Sequence, residues 1–404
     1  MADIRPFRAL RPNPELAAKI CELPYDVMSS EEAREVAAGN PISFLHVSKP
    51  EIDLPKDTDP HDPSVYAKAR ENFDRLIADG ALRKDSSSRY YLYRLIMDGH
   101  EQTGLVAAAS CRDYDEGVIK KHELTRPVKE DDRVRHMESL DSQTGPVFLT
   151  YEARPDFDAF VAKVCDRPSA VDFMASDGVR HTSWVVDLED EIEFVRTTFA
   201  GMSALYVADG HHRSAAASRV NQSRQGEGGS GAFLTVTFPH NQMRILAYNR
   251  ALMGLNGNTP AELLDALGKV FEIETPGVAE PTGKNVLGLY LDSQWRTLRF
   301  RSEIAAANNP MDALDAALLQ NYVLRPIFGI EDPRTSDGID FIGGIRGTGE
   351  LERLVNQQGY ACAFSMFPTS IEDLMEIAAQ DGLMPPKSTW FEPKLRDGMF
   401  CHML

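Results

Sequence analysis

The stretch Ala204-Leu-Tyr-Val-Ala-Asp-Gly-His-His-Arg-Ser-Ala-Ala-Ala-Ser-Arg219 dictates more about this chain than any other of its length. The apolar run Ala204 to Ala208 reads as a buried strand, Asp209-Gly210 as a tight turn, and Ser214 to Val220 has the Ala-rich composition of a helix start. Strand, glycine turn and helix N-terminus in that order make an anion site. The first-turn N–H groups have no intrahelical partners, and the helix dipole favours negative charge there. One carboxylate, two imidazoles and one guanidinium crowd into this turn, and Arg213 has the fork that grips an oxyanion with two parallel bonds. Phosphate chemistry is the expectation.

The totals narrow the class. At 404 residues the chain is expected to form two or three domains, and 43% apolar with 26% charged residues is ordinary for a soluble protein. No apolar run approaches the ~18 residues of a membrane span. Asp3, Arg5, Arg8 and Arg11 stand where a signal peptide would be apolar. The five cysteines, Cys21, Cys111, Cys165, Cys362 and Cys401, are scattered without metal spacing, so reduced thiols and a cytoplasmic location are expected. A net charge of −18 without a basic stripe argues against nucleic-acid and membrane partners and for a small-molecule enzyme.

Strand and helix signals alternate along the chain. Ser29-Ser30-Glu31-Glu32 opens a helix, Ile42 to Val47 reads as a strand, and Ser64 to Ala81 as an amphipathic helix. Arg89 to Ile96 and Gln102 to Ser110 form a hairpin through Asp98-Gly99. Pro146 to Tyr151 and Ala232 to Phe238 are further strands. The Gly-rich segment 225–231 between helix and strand lacks the Walker pattern and reads as a loop. Beyond about 260, Thr259-Pro260-Ala261-Glu262 opens a helix, Val286 to Leu291 pairs with Thr297 to Phe300, and Asp312 to Gln320 is helical. Ala361 to Phe367 is a strand, and Ile371 to Asp381 a helix. The fold class is α/β (α+β).

Besides the turn, Lys120-Lys121-His122-Glu123-Leu124-Thr125 carries chemistry. Glu123 is a candidate general base, able to take a hydroxyl proton as that oxygen attacks phosphorus, and Lys120 or Lys121 would attract phosphate. Its bland reading is an exposed strand end followed by a charged helix face with Lys129, Asp132, Arg133 and His136. In the tail, Lys387, Ser388, Thr389 and Lys394 could reach a phosphate, or Trp390 and Phe391 could simply pack an arm on the body. Arg244, Asn249 and Arg250 offer further charge and hydrogen bonds, and Pro24-Tyr25-Asp26 a turn with a ligand contact. Zinc is not expected at the turn, since adjacent histidines rarely share one metal and no His-x3-His partner follows.

The strand-Asp-Gly-His-His-Arg-helix corner resembles the phosphate-binding turn of the ParB/sulfiredoxin-like superfamily. With His122-Glu123 upstream, it is most similar to that superfamily's free-serine kinases. The full chain also looks like a larger prokaryotic family long catalogued as of unknown function and associated with serine phosphorylation. It shares Pro24 to Asp26, His122 to Thr125, Asp209 to Arg213 and Met384 to Thr389 with that family. The resemblance implies an N-terminal α/β region at 1–115, a ParB/sulfiredoxin-like mixed α/β core at 116–255 and a C-terminal α/β region at 256–404 whose tail joins the site. It departs from the compact kinases in the gap of about 85 residues between Glu123 and Asp209 and in lacking their complete donor pocket.

The expected activity is a small-molecule phosphotransferase that converts free L-serine to O-phosphoserine, with ATP, ADP or pyrophosphate as donor and Mg²⁺ as cofactor. Glu123 is the expected base, with His122 and Thr125 on the substrate side. Gly210, His211, His212, Arg213, Lys121, Arg244, Lys387, Ser388 and Thr389 are expected on the phosphate side. Asp209 would orient a histidine or hold Mg²⁺. Two other readings stay open: a ParB-like nucleotide hydrolase, and a non-catalytic phospholigand sensor. A homo-oligomer is compatible with all of them.

Overall fold

A computed structural model describes residues 1–306 and 309–404 as a mixed α/β structure of two compact units. The first comprises Met1–Met243 with Pro393–Leu404, the second Arg244–Glu392. These limits differ from boundaries at 115/116 and 255/256: strands from either side of residue 115 share one sheet, and the last twelve or so residues return to the first unit.

The nine strands of the first unit's sheet are β1 (Ile4–Arg5), β2 (Tyr90–Met97), β3 (His100–Ser110), β4 (Ile119–Lys120), β5 (Val147–Tyr151), β6 (Val171–Met174), β7 (Arg180–Val186), β8 (Leu205–Asp209) and β9 (Ala232–Pro239). They lie in the order β4-β8-β5-β9-β3-β2-β7-β6, with β1 also on β3. Asp98 and Gly99 both take positive φ, 51° and 78°, and fold β2 back onto β3 with Met97 opposite His100. That is the hairpin expected of an Asp-Gly pair.

Period-two alternation divides β2 between the two faces. Tyr90 and Leu92 enter the core that holds Leu149, Val207, Phe157, Phe199 and Ala216, while Tyr91 and Tyr93 turn to Phe400 with ring centroids 5.2 and 5.8 Å away. The helices of this unit used below are α1 (Ser30–Ala37), α2 (Pro63–Ala78), α3 (Cys111–Asp115), α4 (Pro127–Leu140), α5 (Pro155–Cys165), α6 (Glu189–Ala200) and α7 (His211–Arg224). Phe157 of α5 and Phe199 of α6 both meet Tyr151 edge-on, at 6.0 and 5.4 Å. Helix α1 starts with a complete capping box between Ser29 and Glu32.

Residues 42–47, expected as a strand, are not one: Leu45–Ser48 is a helical turn. The Ser43 hydroxyl accepts from Leu45 N at 3.3 Å, a local serine turn just ahead of the helical one. Phe44 and Val47, three residues apart and so on one side of a turn, pack with Phe73 of α2. Burial on one side of a turn outweighed β propensity.

The second unit is a fully antiparallel six-stranded sheet of β10 (Tyr248–Leu252), β11 (Phe271–Glu274), β12 (Val286–Leu291), β13 (Gln294–Phe300), β14 (Ile339–Gly343) and β15 (Cys362–Ser365), ordered β11-β13-β12-β15-β10-β14. Helices α8 (Pro260–Leu267), α9 (Gly347–Gln357) and α10 (Ile371–Ala379) belong to it, α8 opening with the Thr259/Glu262 capping box. The helix expected over 312–320 is shorter, Asp315–Leu319, and continues into a π turn to Leu324. Among the described residues no helix is long and apolar enough to cross a membrane.

Candidate functional site

The segment 204–219 folds as its composition dictates. Strand β8 ends at Asp209, Gly210 takes φ 95°, and α7 begins at His211. Only glycine suits this corner: φ lies in the left-handed region, and a Cβ would sit 3.3 Å from the Val147 backbone and 3.2 Å from Arg213 Nε. The N–H groups of the first turn of α7 therefore open at the C-terminal end of β8.

Two-residue β4 brings the second motif to the same place. Its Ile119 and Lys120 pair in parallel with Leu205 and Tyr206 of β8, so the irregular segments after both strands emerge at one sheet edge. His122 and Glu123 thereby meet His211, and one donor atom from each of the three lies within 4.8 Å of the others. The His122 and His211 rings stand edge to face with centroids 4.4 Å apart. His122 Nδ1 and Nε2 and His211 Nε2 make no hydrogen bond among the described residues, although the Val207 carbonyl lies close enough to favour protonated His122 weakly. Burial pushes His122 down to about 4 and His211 well below its ordinary value, so both are neutral at pH 7. Local spacing spoke against a metal at the turn; His122 and Glu123, from another segment, complete a set of metal-capable donors that spacing could not foresee.

Asp209 accepts from Gly210 N at 2.7 Å through Oδ1 and from Lys394 Nζ at 2.9 Å through Oδ2. Burial would raise its pKa, but Lys394 and Arg213 outweigh this and hold the carboxyl well below the usual carboxylate range. Both oxygens of Asp209 are thus engaged, one of them by a lysine ammonium. Lys394 lies in the returning C-terminal segment, which is held to the first unit by pairing of His402 and Met403 with Gln143 and Ser142.

Arg213 is buried, donates through Nη1 to the Pro146 carbonyl and has no hydrogen-bond partner for Nε among the described residues. Asp26, Asp209, Asp397 and Tyr25 surround it electrostatically and raise its pKa against burial. Pro24-Tyr25-Asp26 thus joins the turn, and the Tyr25 ring lies under the Arg133 guanidinium at 3.8 Å. Asp397 is the residue the sequence reading missed; nothing in its local motif marks it. Burial pushes its carboxyl up to about 7, and a Cβ on Gly145 would lie 2.6 Å from Asp397 Oδ1 and 3.4 Å from Arg213 Nη1.

The other expected residues divide. His212 Nε2 accepts from Arg126 N at 3.1 Å, and Lys121 Nζ lies over the Tyr114 ring at 4.3 Å. The Thr125 hydroxyl donates to Glu130 of α4, an interaction that shapes the loop. Arg244, Lys387, Ser388 and Thr389 belong to the second unit, where Arg244 pairs with Glu392 across a two-stranded ribbon. Ser388 Oγ donates to the Pro385 carbonyl at 2.7 Å, its own carbonyl accepts from Thr369, and Lys387 Nζ lies 5.4 Å from the Tyr248 ring centre. Asn249 and Arg250 are likewise tied within that unit, to Met366 N and to the carbonyls of Tyr248 and Lys387.

His136 of α4 is buried, with Nε2–H donating to the Val47 carbonyl at 2.9 Å. Burial, then Arg133, pushes it down to about 4. Its stabilising contribution is complete above pH 6.5 and is lost as pH falls through 4, where the folded protein must bury an imidazolium. Over that interval the loss is about 3 kcal/mol. Asp397 runs the other way, stabilising most below 3.8 and losing that as pH rises through about 7. Urea unfolding between pH 4 and 7 should therefore show His136→Gln with a flatter profile than the unsubstituted protein. Parallel profiles would contradict the burial argument.

Similarities to known proteins complete the description. No curated protein matches the chain. Among solved structures it resembles SbnI with a C-terminal truncation from Staphylococcus aureus, at 10% identity and TM-score 0.41, over 72% of this chain and 85% of that one. It also resembles a free serine kinase in complex with AMP, at 13% identity and TM-score 0.36, over 71% and 86%. A conserved hypothetical protein from Pyrococcus furiosus gives 12% identity and TM-score 0.37 over 73% and 93%. At TM-scores this low none of these likenesses bears on activity. Residues 4–317, about three quarters of the chain, match the family model described as "Protein of unknown function (DUF1015)", and the chain belongs to that family.

Proposed function

We propose that the first unit is a small-molecule phosphotransferase acting on an alcohol, with free L-serine as acceptor and ATP, ADP or pyrophosphate as donor. The observation that supports this reading is the meeting of Glu123 with the Asp209–Arg213 turn: a carboxylate stands within 4.8 Å of a histidine donor atom at an open helix N-terminus. A phosphate cradle alone binds; a cradle with a base beside it can transfer.

In this reading the serine hydroxyl oxygen forms a bond to the donor's terminal phosphorus while the bridging P–O bond breaks. Glu123 takes the hydroxyl proton, and the leaving nucleotide or phosphate departs with the bond pair. The first-turn N–H groups of α7, with His211, His212 and Arg213, hold the equatorial oxygens as their charge redistributes. Neutral His211 serves this purpose as a hydrogen-bond partner. Asp209, neutralised by Lys394, fixes the turn, and no step is assigned to Mg²⁺ at Asp209. Magnesium would accompany the donor's phosphates. Lys387, Ser388, Thr389 and Arg244 remain proposed phosphate ligands of the second unit.

The test is incubation of the protein with L-serine and Mg²⁺ and, separately, ATP, ADP and pyrophosphate, followed by mass-spectrometric assay of O-phosphoserine. Product with one donor is expected. Absence of product with all three contradicts the serine assignment.

A further inference from the structure

His122 and His211 present a problem that phosphate binding leaves unsolved. Their relative exposures are 2% and 6%, yet His211 Nε2 makes no hydrogen bond among the described residues and His122 has only the nearby Val207 carbonyl. A buried imidazole without a partner is costly, and such groups ordinarily find an acceptor, a water or a metal. Here the two rings stand against each other with a carboxylate, Glu123, alongside.

We infer that His122, Glu123 and His211 form a binding site for a divalent transition-series cation of the zinc type. Two imidazole nitrogens and one carboxylate oxygen match the three-ligand sets of zinc sites that keep a fourth position open. The same set suits zinc or cobalt better than calcium or magnesium, which prefer oxygen donors. The donor atoms lie within 4.8 Å of one another, so a common tetrahedral centre about 2.0–2.1 Å from each requires a pair near that limit to close by more than about 1 Å, through side-chain rotation. The three come from two segments, one after β4 and one opening α7, held together by parallel pairing of β4 with β8. Occupancy would therefore cross-link these segments.

The inference stands on the donor atoms and does not require phosphoryl transfer. If transfer does occur, a bound cation engages Glu123 and removes the base, so metal and transfer are antagonistic at this site.

Tag-free protein, stripped with chelator and dialysed, is titrated with Zn²⁺ by calorimetry and with Co²⁺ by visible absorption. One ion per chain is expected, with the intense visible bands of low-coordinate Co²⁺, and Zn²⁺ should raise the melting temperature by mass action. His122→Gln, Glu123→Gln and His211→Gln should each weaken binding at least about tenfold. His100→Gln, at the β2–β3 hairpin, should leave it unchanged. Circular dichroism confirms that each variant is folded, and Glu123→Gln, nearly isosteric, carries the comparison if a histidine variant fails to fold. Absence of stoichiometric binding, or binding indifferent to Glu123→Gln and to every folded histidine variant, overturns the site. Failure of the phosphoserine assay on chelator-stripped protein that still takes up Zn²⁺ would overturn only the proposed function.

Discussion

Glu123→Gln is expected to lower phosphoserine formation by roughly 10²–10⁴-fold while donor affinity stays within a few-fold of the unsubstituted value. The amide keeps the size and hydrogen-bonding reach of the carboxylate but cannot accept the hydroxyl proton. In the proposed reading, donor affinity rests instead on the α7 N-terminus and Arg213, which the substitution leaves in place. Turnover and donor binding, measured on the same preparation by product assay and by calorimetry, separate these roles. Equal loss of both would make Glu123 a binding group. Loss of neither would remove it from the site.

The second large effect concerns the Asp209–Lys394 pair. Lys394 Nζ lies 2.9 Å from Asp209 Oδ2, and the lysine side chain is only 10% exposed. Asp209→Asn keeps the shape of the turn but leaves a largely buried ammonium without that counter-charge, at a cost of about 3 kcal/mol. Adding Lys394→Met to Asp209→Asn removes the buried ammonium itself and should recover part of the loss. Urea unfolding of the two single variants and the double variant measures the coupling between them. An Asp209→Asn protein as stable as the unsubstituted one would show that the returning segment is held by its other contacts, among them the Gln143–His402 pairing and the Arg396–Asp177 ion pair. In the proposed reading, the pair anchors the corner from which the α7 N–H groups emerge.

Local features of this chain were legible in its sequence to the extent that their causes are local. Asp98-Gly99 specifies a hairpin because both residues accept positive φ, and Ser29 and Glu32 specify a helix start because they satisfy each other's backbone. The Gly210 turn was legible for the same reason. Residues 42–47 misled because β propensity and a buried helical turn use the same apolar residues, and only packing on Phe73 decides between them.

The site was half legible. Asp209 to Arg213 announce themselves, and Glu123 stands out as a carboxylate beside basic residues. Their meeting rests on two residue pairs between β4 and β8, too short a strand to leave a pattern. Asp397 and the engagement of Lys394 with Asp209 depend on the C-terminal segment returning to the first unit after the whole of the second has intervened. No local signal encodes such a return. The metal-capable trio was hidden likewise, since rules of ligand spacing see neighbours along the chain and not across a parallel strand pair.

The central claim is that the turn and Glu123 together move phosphate to an alcohol. It is tested most directly by following donor consumption by ³¹P NMR in the presence and absence of L-serine, with the donor that supports product. The account predicts a phosphomonoester resonance that grows only with serine, at the rate the donor is consumed, and disappears in Glu123→Gln at equal donor occupancy. Donor consumed equally fast without serine, releasing only inorganic phosphate, would contradict it and make the protein a hydrolase.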